Sequence, residues 1–328
     1  MLHIRFKFLN TPFRHPFTTA HGIKTHQPAL LVAIQFNGLT GIGEAPAIHY
    51  YNVTTESMAE ELQRKTPVLS RYAYTEPERF WHFCHHLFPN NPFLVCALDM
   101  AYWDLHSKMK GKRLYQLWDL DWSKRPPTNY TIGIDTPEVM LQKMREKPWP
   151  VYKIKVSEPA HLDVLRALRA ETHATLRVDA NAAWSLEQAR ELLPEMEQLN
   201  IELIEQPLHK DDLEGMKELK KLSSIPLVAD ESCVGEQDVK RCAEGFHGIN
   251  IKLTKCSGIT PALRMIQEAR TLGLKVMMGC MNETETGTAA MANFLPLLDY
   301  ADLDGPLLLD VPPLQQIRYD QGSIDWIS

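Results

Sequence analysis

The sequence predicts an α/β protein: a (β/α) barrel preceded by a smaller α+β domain. Three observations carry this. From Tyr130 onward, eight short apolar runs alternate with amphipathic segments, the pattern of parallel strands joined by helical crossovers. Residues 1–122 instead place strands first and helices after them, as an α+β unit does. The length of 328 residues suits two domains, or one large barrel with an appendage.

In the first unit, residues 2–9 and 29–36 read as strands, and Gly38 with Gly41-Ile42-Gly43 reads as turns. Glu56 to Ser70 and Phe93 to Lys110 carry helical periodicity, with Cys96, Leu98, Tyr102 and Leu105 among the apolar positions. Ser123-Lys124-Arg125-Pro126-Pro127 reads as a linker into the barrel unit, 123–305. The barrel's strand candidates are Tyr130–Ile134, Tyr152–Val156, Leu176–Asp179, Glu202–Glu205, Leu227–Asp230, Gly248–Leu253, Lys275–Met278 and Tyr300–Leu303. Ser185-Leu186-Glu187-Gln188 resembles a capping box ahead of apolar Ala189, Leu192, Leu193 and Met196, and Pro194 should kink or end that helix. Asp211 and Asp212 open the next helix, with Leu213, Met216, Leu219 and Leu222 along one face, and Ile259–Leu272 is another. The strand count and spacing fit a barrel better than an open sheet. Residues 306–328 show no clear helix and are expected to return to the first domain.

Composition excludes several classes. At 44% apolar residues the chain can build a core, so disorder is not its main state. No apolar run approaches the ~18–20 residues that span a bilayer. The alternating N-terminus, Met1 to Phe6, lacks the apolar core and cleavage site of a signal peptide, so a cytoplasmic location is expected. None of the six cysteines forms a C-x-x-C pair, and reduced thiols are the expectation. Cys84-His85-His86 reads as a buried cysteine beside surface histidines. A net charge of −6 without a Lys/Arg cluster argues against nucleic acid as a partner.

A barrel gathers its chemistry at the C-terminal ends of its strands. The charged residues that end the apolar runs are Lys153 and Lys155, then Asp179, Glu205, Asp230, Lys255, and Asp302 with Asp304. From Lys155 to Lys255 they follow one another at about one βα unit each. Surface charges have no reason to recur in this way. Three carboxylates on adjacent strands make a hard, all-oxygen site that selects Mg²⁺ or Mn²⁺. Without a cation they would repel one another and raise each other's pKa. The competing reading is that each acid caps the helix after its strand. A lysine at a strand end can serve as a base if nearby positive charge, from Lys153 or a cation, lowers its pKa.

Lys153-x-Lys155, Asp179, Glu205-Gln206-Pro207, Asp230-Glu231-Ser232 and Lys255 resemble the signature of the enolase superfamily, muconate-lactonizing-enzyme subgroup. Gly41-Ile42-Gly43-Glu44-Ala45 resembles that group's first-domain motif, and the resemblance covers nearly the whole chain. It implies a modified (β/α)7β TIM-type barrel under an N-terminal α+β capping domain, completed by the segment 306–328. It implies one Mg²⁺ per subunit on Asp179, Glu205 and Asp230, with Mn²⁺ as the substitute. Lys155 and Lys255 would be the two bases, with Lys153 supporting them.

Asp302-x-Asp304 is similar to the Asp-x-Asp with which dipeptide epimerases hold the substrate's α-ammonium group. Two carboxylates opposite a metal-bound carboxylate would measure a zwitterion end to end. The resemblance therefore implies a dipeptide epimerase, an isomerase of the L-Ala-D/L-Glu epimerase kind. It would invert the α-carbon of the dipeptide's C-terminal residue by two-base 1,1-proton transfer through a metal-stabilised enediolate. Thr131, Glu283, His21 and Lys24 would complete the substrate site. In the alanyl-glutamate branch an arginine in the loop near the N-terminus meets the glutamate. Thr18 to Lys24 holds none, though Lys24 can substitute. L-Ala-D/L-Glu or an L-Ala/apolar dipeptide is the expected substrate, with Tyr50 and Tyr51 as an aromatic wall for apolar side chains. A homo-oligomer and a role in cell-wall peptide metabolism are further implications. o-Succinylbenzoate synthases, cycloisomerases and N-acylamino-acid racemases share the metal and lysines but bind no ammonium. A non-catalytic metal-binding barrel is the remaining alternative.

Overall fold

The computed structural model describes residues 1–19, 22–158 and 161–327. The first unit is an antiparallel sheet of β1 (His3–Thr19), β2 (Gly22–Phe36) and β3 (Leu39–Pro46). β1 and β2 extend well beyond the expected 2–9 and 29–36. Their pairing runs from His3 with Gln35 to Thr19 with Gly22, interrupted once between Pro12 and Phe17. The far end of this ribbon reaches the barrel, where the Ile134 N–H donates to Thr18 O (3.0 Å).

Gly41 and Gly43 lie in β3, not in turns. The reason is the helix packed on them. A Cβ at Gly41 would sit 2.0 Å from Ala101 O, and one at Gly43 2.1 Å from Ala97 O. Three helices cover the sheet: α1 (Thr55–Leu69), α2 (Pro77–Leu87) and α3 (Pro92–Lys110). α1 and α3 match the expected periodic segments within a residue. α2 was not expected, since its aromatic and histidine residues are only middling helix formers. It buries Phe80, Trp81 and Cys84 in the core of this unit, and His85 stacks on Trp81 at 4.7 Å.

The barrel is one parallel sheet in sequence order: β4 (Tyr130–Ile132), β5 (Val151–Lys155), β6 (Thr175–Asp179), β7 (Ile201–Glu205), β8 (Leu227–Ala229), β9 (Gly248–Ile251), β10 (Lys275–Gly279) and β11 (Tyr300–Asp302). Each strand falls within a few residues of its sequence candidate. Every strand is an apolar run buried on both faces, as a barrel under a helical coat requires. Among the described residues, β11 meets β4 through a single parallel bridge, Thr128 to Ala301.

Ser185 and Gln188 do form the capping box, but Pro194 lies inside its helix, Leu186–Gln198, which runs on for a further turn. Asp212 caps the helix Leu213–Leu222 by accepting from the Gly215 N–H at 2.9 Å.

After β11, the Asp310 N–H donates to Pro12 O (2.8 Å) on β1. A hairpin of β12 (Ile317–Asp320) and β13 (Ser323–Trp326) follows, with Ile317 and Ile324 in the barrel's main core. Gly322 O receives the Thr128 N–H at 2.8 Å, so the hairpin lies against the entry ends of the strands, away from the mouth.

Two buried acids join cap to barrel. Glu44 of β3 accepts from the N–H groups of Thr284 and Gly287 (2.9 and 3.0 Å), at the start of the helix Glu285–Ala292. Asp99 of α3 accepts from the Thr260 N–H (2.9 Å) and hydroxyl (3.0 Å), at the start of the helix Ile259–Thr271. Helix N-termini present unpaired N–H groups and favour negative charge, so both joints are chemically matched.

Candidate active site

Side chains alternate along a strand, so Lys153 and Lys155 of β5 project to the same side. Parallel register then sets Lys155 beside Asp179 and Asp179 beside Glu205 at the ends of β5, β6 and β7. Asp230 follows β8, Lys252 follows β9, and Cys280 follows β10. Asp302 ends β11. All eight are buried.

They meet beneath the cap in a cavity of about 310 Å³. Its barrel wall includes Thr131, Lys153, Lys155, Asp230, Lys252, Asp302 and Asp304, and its cap wall Phe17, Lys24, His49, Tyr50 and Tyr51. Asp179 and Glu205, both at 0% exposure, lie behind the lysines that touch them.

The charges interlock. The Lys155 ammonium donates to Asp179 Oδ2 at 2.5 Å. The Lys153 ammonium contacts Asp302 closely and reaches Glu205 Oε2 at 3.3 Å and Asp179 Oδ2 at 3.7 Å. Burial works to lower the Lys153 pKa, but these three carboxylates outweigh it and hold it well above the ordinary lysine range. Burial and the neighbouring Asp179 charge push Glu205 up to about 7. Asp230 resists the same burial because Lys252 and Lys255 hold it below the usual carboxylate range. Asp302 is likewise lowered against burial, chiefly by Lys153, whereas burial and the Asp302 charge raise Asp304 to about 6. At the cap, burial and the positive charges of Lys252 and Lys155 lower the pKa of Lys24.

The structure separates the two lysines near β9. Lys252 comes directly after the strand, lines the cavity opposite Lys155, and donates to Asp230 Oδ2 at 2.8 Å. The chain then makes one helical turn, Leu253–Cys256, which carries Lys255 behind Asp230. There Lys255 donates to Asp230 Oδ1 (2.6 Å) and to Asp230 O (2.5 Å), and lines a different cavity with Tyr51, Asn91 and Val234. The expectation that Lys255 shares a site with Lys155 is therefore corrected: Lys252 lines that cavity, and Lys255 does not. The expected strand, Gly248–Leu253, hid Lys252, which stands inside that run, whereas the strand ends at Ile251.

Glu283 also departs from expectation. Its carboxylate turns back to accept from the Met281 N–H (2.5 Å), while Gly287 packs against its Cβ and Cγ and Gly305 against its backbone. Met281 and Asn282 line the cavity in its place, as do Asn181 and Cys280. Thr131 is present in the cavity wall, and its N–H donates to Asp304 Oδ2 at 2.5 Å. His21 lies outside the described residues.

With the side chains as they stand, no three His, Cys, Asp or Glu groups among the described residues converge on one point, because each acid is turned to a lysine. The donor set nonetheless fits a hard divalent cation. Asp179, Glu205 and Asp230 are oxygen donors from three adjacent strands, and Asp179 and Asp230 both drive up the pKa of Glu205. Asn181 and Asn250 beside them each keep a buried amide oxygen without a hydrogen-bond partner.

The family "Mandelate racemase / muconate lactonizing enzyme, N-terminal domain" matches residues 4–118, and "Enolase C-terminal domain-like" matches 138–308. A relative from Maribacter sp., named L-Ala-D/L-amino acid epimerase, is 44% identical over 324 residues, covering 98% of this chain and 96% of its own length. The substrate-liganded L-Ala-D/L-Glu epimerase from Bacillus subtilis superposes with a TM-score of 0.93 at 29% identity, covering 99% of this chain and 95% of that one. A dipeptide epimerase from Cytophaga hutchinsonii, complexed with Mg and D-Ala-L-Val, gives 0.93 at 26% identity, covering 98% and 92%. The chain belongs to the enolase superfamily, within its mandelate racemase/muconate lactonizing enzyme group, alongside the dipeptide epimerases, which are isomerases.

Proposed function

We propose that this protein is a Mg²⁺-dependent dipeptide epimerase that inverts the α-carbon of the C-terminal residue. The observation that carries the reading is one cavity beneath the cap, lined by Asp302 and Asp304 and by Asp230, with Lys155 and Lys252 in the same wall. Asp302 and Asp304 take the substrate's α-ammonium group by charge-assisted hydrogen bonds. Asp179, Glu205 and Asp230 would hold one Mg²⁺, or Mn²⁺, at the other end. The chemistry it supplies when bound is Lewis acidity at the substrate carboxylate, where negative charge develops as the α-proton leaves, and neutralisation of the acids that keep the lysines protonated.

Lys155 and Lys252 flank the space left for the α-carbon. One removes the proton and the other returns it from the opposite face, and the roles exchange with the direction of reaction. Lys153, tied to three carboxylates, stays charged and adds positive potential. Lys255 acts through Asp230, which it grips at two oxygens.

L-Alanine as the first residue is supported by the name of the 44% identical relative. Lys24 supports acceptance of an acidic second residue, and Tyr50 and Tyr51 support apolar ones. Six unpaired, buried cysteines support residence in a reducing compartment such as the cytoplasm. The described residues contain no helix long and apolar enough to cross a membrane.

Incubation with Mg²⁺ and a pooled library of alanyl dipeptides in D₂O tests the reading. Mass spectrometry should find one-dalton gains confined to the C-terminal residue of a subset, abolished by EDTA and restored by Mg²⁺. A folded, Mg²⁺-binding protein that labels no dipeptide but labels N-acylated amino acids would replace this reading with the racemase one.

A further inference from the structure

We infer that Asn129 and Arg177 form a clamp across the barrel seam that sets Asp302 for the substrate's ammonium group, a positioning role that rests on the proposed function of Asp302. Among the described residues, the seam between β11 and β4 has one bridge of regular sheet pairing. Side chains close the rest. Thr128 Oγ1 accepts from the Leu303 N–H at 2.7 Å, and Asp304 accepts from the Thr131 N–H. Asn129 Nδ2 donates to Asp302 Oδ1 at 2.7 Å. Both acids of the Asp-x-Asp pair are thus held by residues at the start of β4.

Chemistry fixes which way the Asn129 amide faces. A guanidinium can only donate, so the amide oxygen must face Arg177, whose Nη1 lies 3.2 Å away. The amide NH₂ is then committed to the Asp302 carboxylate. Arg177 is itself immobilised beneath the site. It is 2% exposed, donates to Ala301 O at 2.8 Å, and pairs with Glu202 Oε2 at 2.6 Å. One rigid cation thereby grips β11 at the residue before Asp302 and orients the amide that holds Asp302 itself.

The consequence is a division of labour at Asp302. Oδ1 belongs to Asn129 and Oδ2 to the Lys153 ammonium. Remove the amide donor and Lys153 is the strongest remaining attraction. The carboxylate then rotates onto it and turns away from the cavity. The base pair, Lys155 and Lys252, lies on other strands and is untouched. Asn129 therefore governs how well the ammonium end is bound, not how fast the proton moves.

The test compares L-alanyl-L-glutamate, followed by α-proton exchange in the Mg²⁺-loaded enzyme, with N-propionyl-L-glutamate as inhibitor. The two differ in the ammonium group alone. The wild type should bind the alanyl compound at least tenfold better. In Asn129→Ala that preference should fall about tenfold through KM, with kcat within about threefold, the scale of one charge-assisted hydrogen bond. Asn129→Asp keeps an acceptor for Arg177, so the seam stays closed, yet offers Asp302 no donor. It should lose the preference at least as fully, and it keeps the test usable if the alanine variant does not fold. An unchanged preference in the folded variants, or equal loss for both ligands, overturns the clamp. A wild type that does not distinguish the two ligands instead overturns the ammonium reading of Asp302 and leaves nothing for the clamp to serve.

Discussion

Lys252 and Lys255 grip the same carboxylate from opposite sides, and only Lys252 shares the cavity with Lys155. Their substitutions should separate accordingly. Lys252→Met should retain α-proton exchange from one substrate enantiomer only, through Lys155, and lose epimerisation. Lys255→Met should retain exchange from both enantiomers at saturating Mg²⁺ and need more Mg²⁺ to reach it, because Asp230 loses the cation behind it. Proton NMR in D₂O with each enantiomer in turn reads both outcomes. One-sided exchange in the Lys255 variant, with the Lys252 variant normal, would return the second base to Lys255. The strand-end places of Lys155, Asp179, Glu205 and Asp230 were legible because each closes an apolar run, and that of Lys153 because it shares the Lys155 side of β5. The place of Lys255 was not legible, because counting 25 residues along the chain ignores the helical turn after Ile251 that carries it behind Asp230. Glu283 departs for a related reason: sequence places it near the mouth, but its side chain packs against Gly287 and turns back to the Met281 N–H.

At the scale of elements, the eight barrel strands were readable because strands buried on both faces become continuous apolar runs. β3 was not, because its glycines carry two opposed messages. Glycine marks turns, and it also marks close backbone approach. Here α3 lies so near β3 that no side chain fits at Gly41 or Gly43, while Gly38, at φ +77°, is an open turn. Gly43→Ala should force α3 off the sheet and shift Glu44 from the barrel helix it caps. An overpacking cost of about 3 kcal/mol corresponds to a Tm drop of roughly 4 °C in a chain of this length. Gly38→Ala should cost only about 1 kcal/mol, the backbone penalty alone. Thermal unfolding by circular dichroism compares them. Equal effects at the two positions would refute the close-approach account of β3.

Across the whole molecule, the cap is fastened to the barrel by buried acids, and that choice has a signature in pH. Sequence indicated two units but not how they join, since neither Glu44 nor Asp99 stands in an apolar run that marks its partner. Asp99 is fully buried, and burial pushes it up to about 7 against the opposing hydrogen bonds from Thr260. Burial likewise raises Glu44, and burial with the Glu44 charge raises Glu283 to about 7. An unfolded carboxyl titrates near 4. Between roughly pH 4 and 7 these three acids therefore hold more protons in the folded protein than in the unfolded chain, and their contribution to stability falls as pH rises. The contribution is complete below about pH 4 and is lost through about pH 7. Asp230 and Asp302, with lowered pKa, act below this window; Glu205 and Asp304, raised to about 7 and about 6, act in it with the same sign, and His85, His106 and His247, lowered by burial, act against it. For Asp99 alone the loss is at most about 4 kcal/mol. Asp99→Asn keeps an acceptor for the Thr260 N–H and adds a donor for its hydroxyl without a titrating charge. Melting curves at pH 5, 6, 7 and 8 should show the wild-type Tm declining by several degrees and the variant declining distinctly less. The variant should match or exceed the wild type at pH 8. Parallel declines in the two proteins would mean that Asp99 does not carry the pH dependence, and would move it to the other raised acids, Glu44 and Glu283 at the joint and Glu205 and Asp304 in the site.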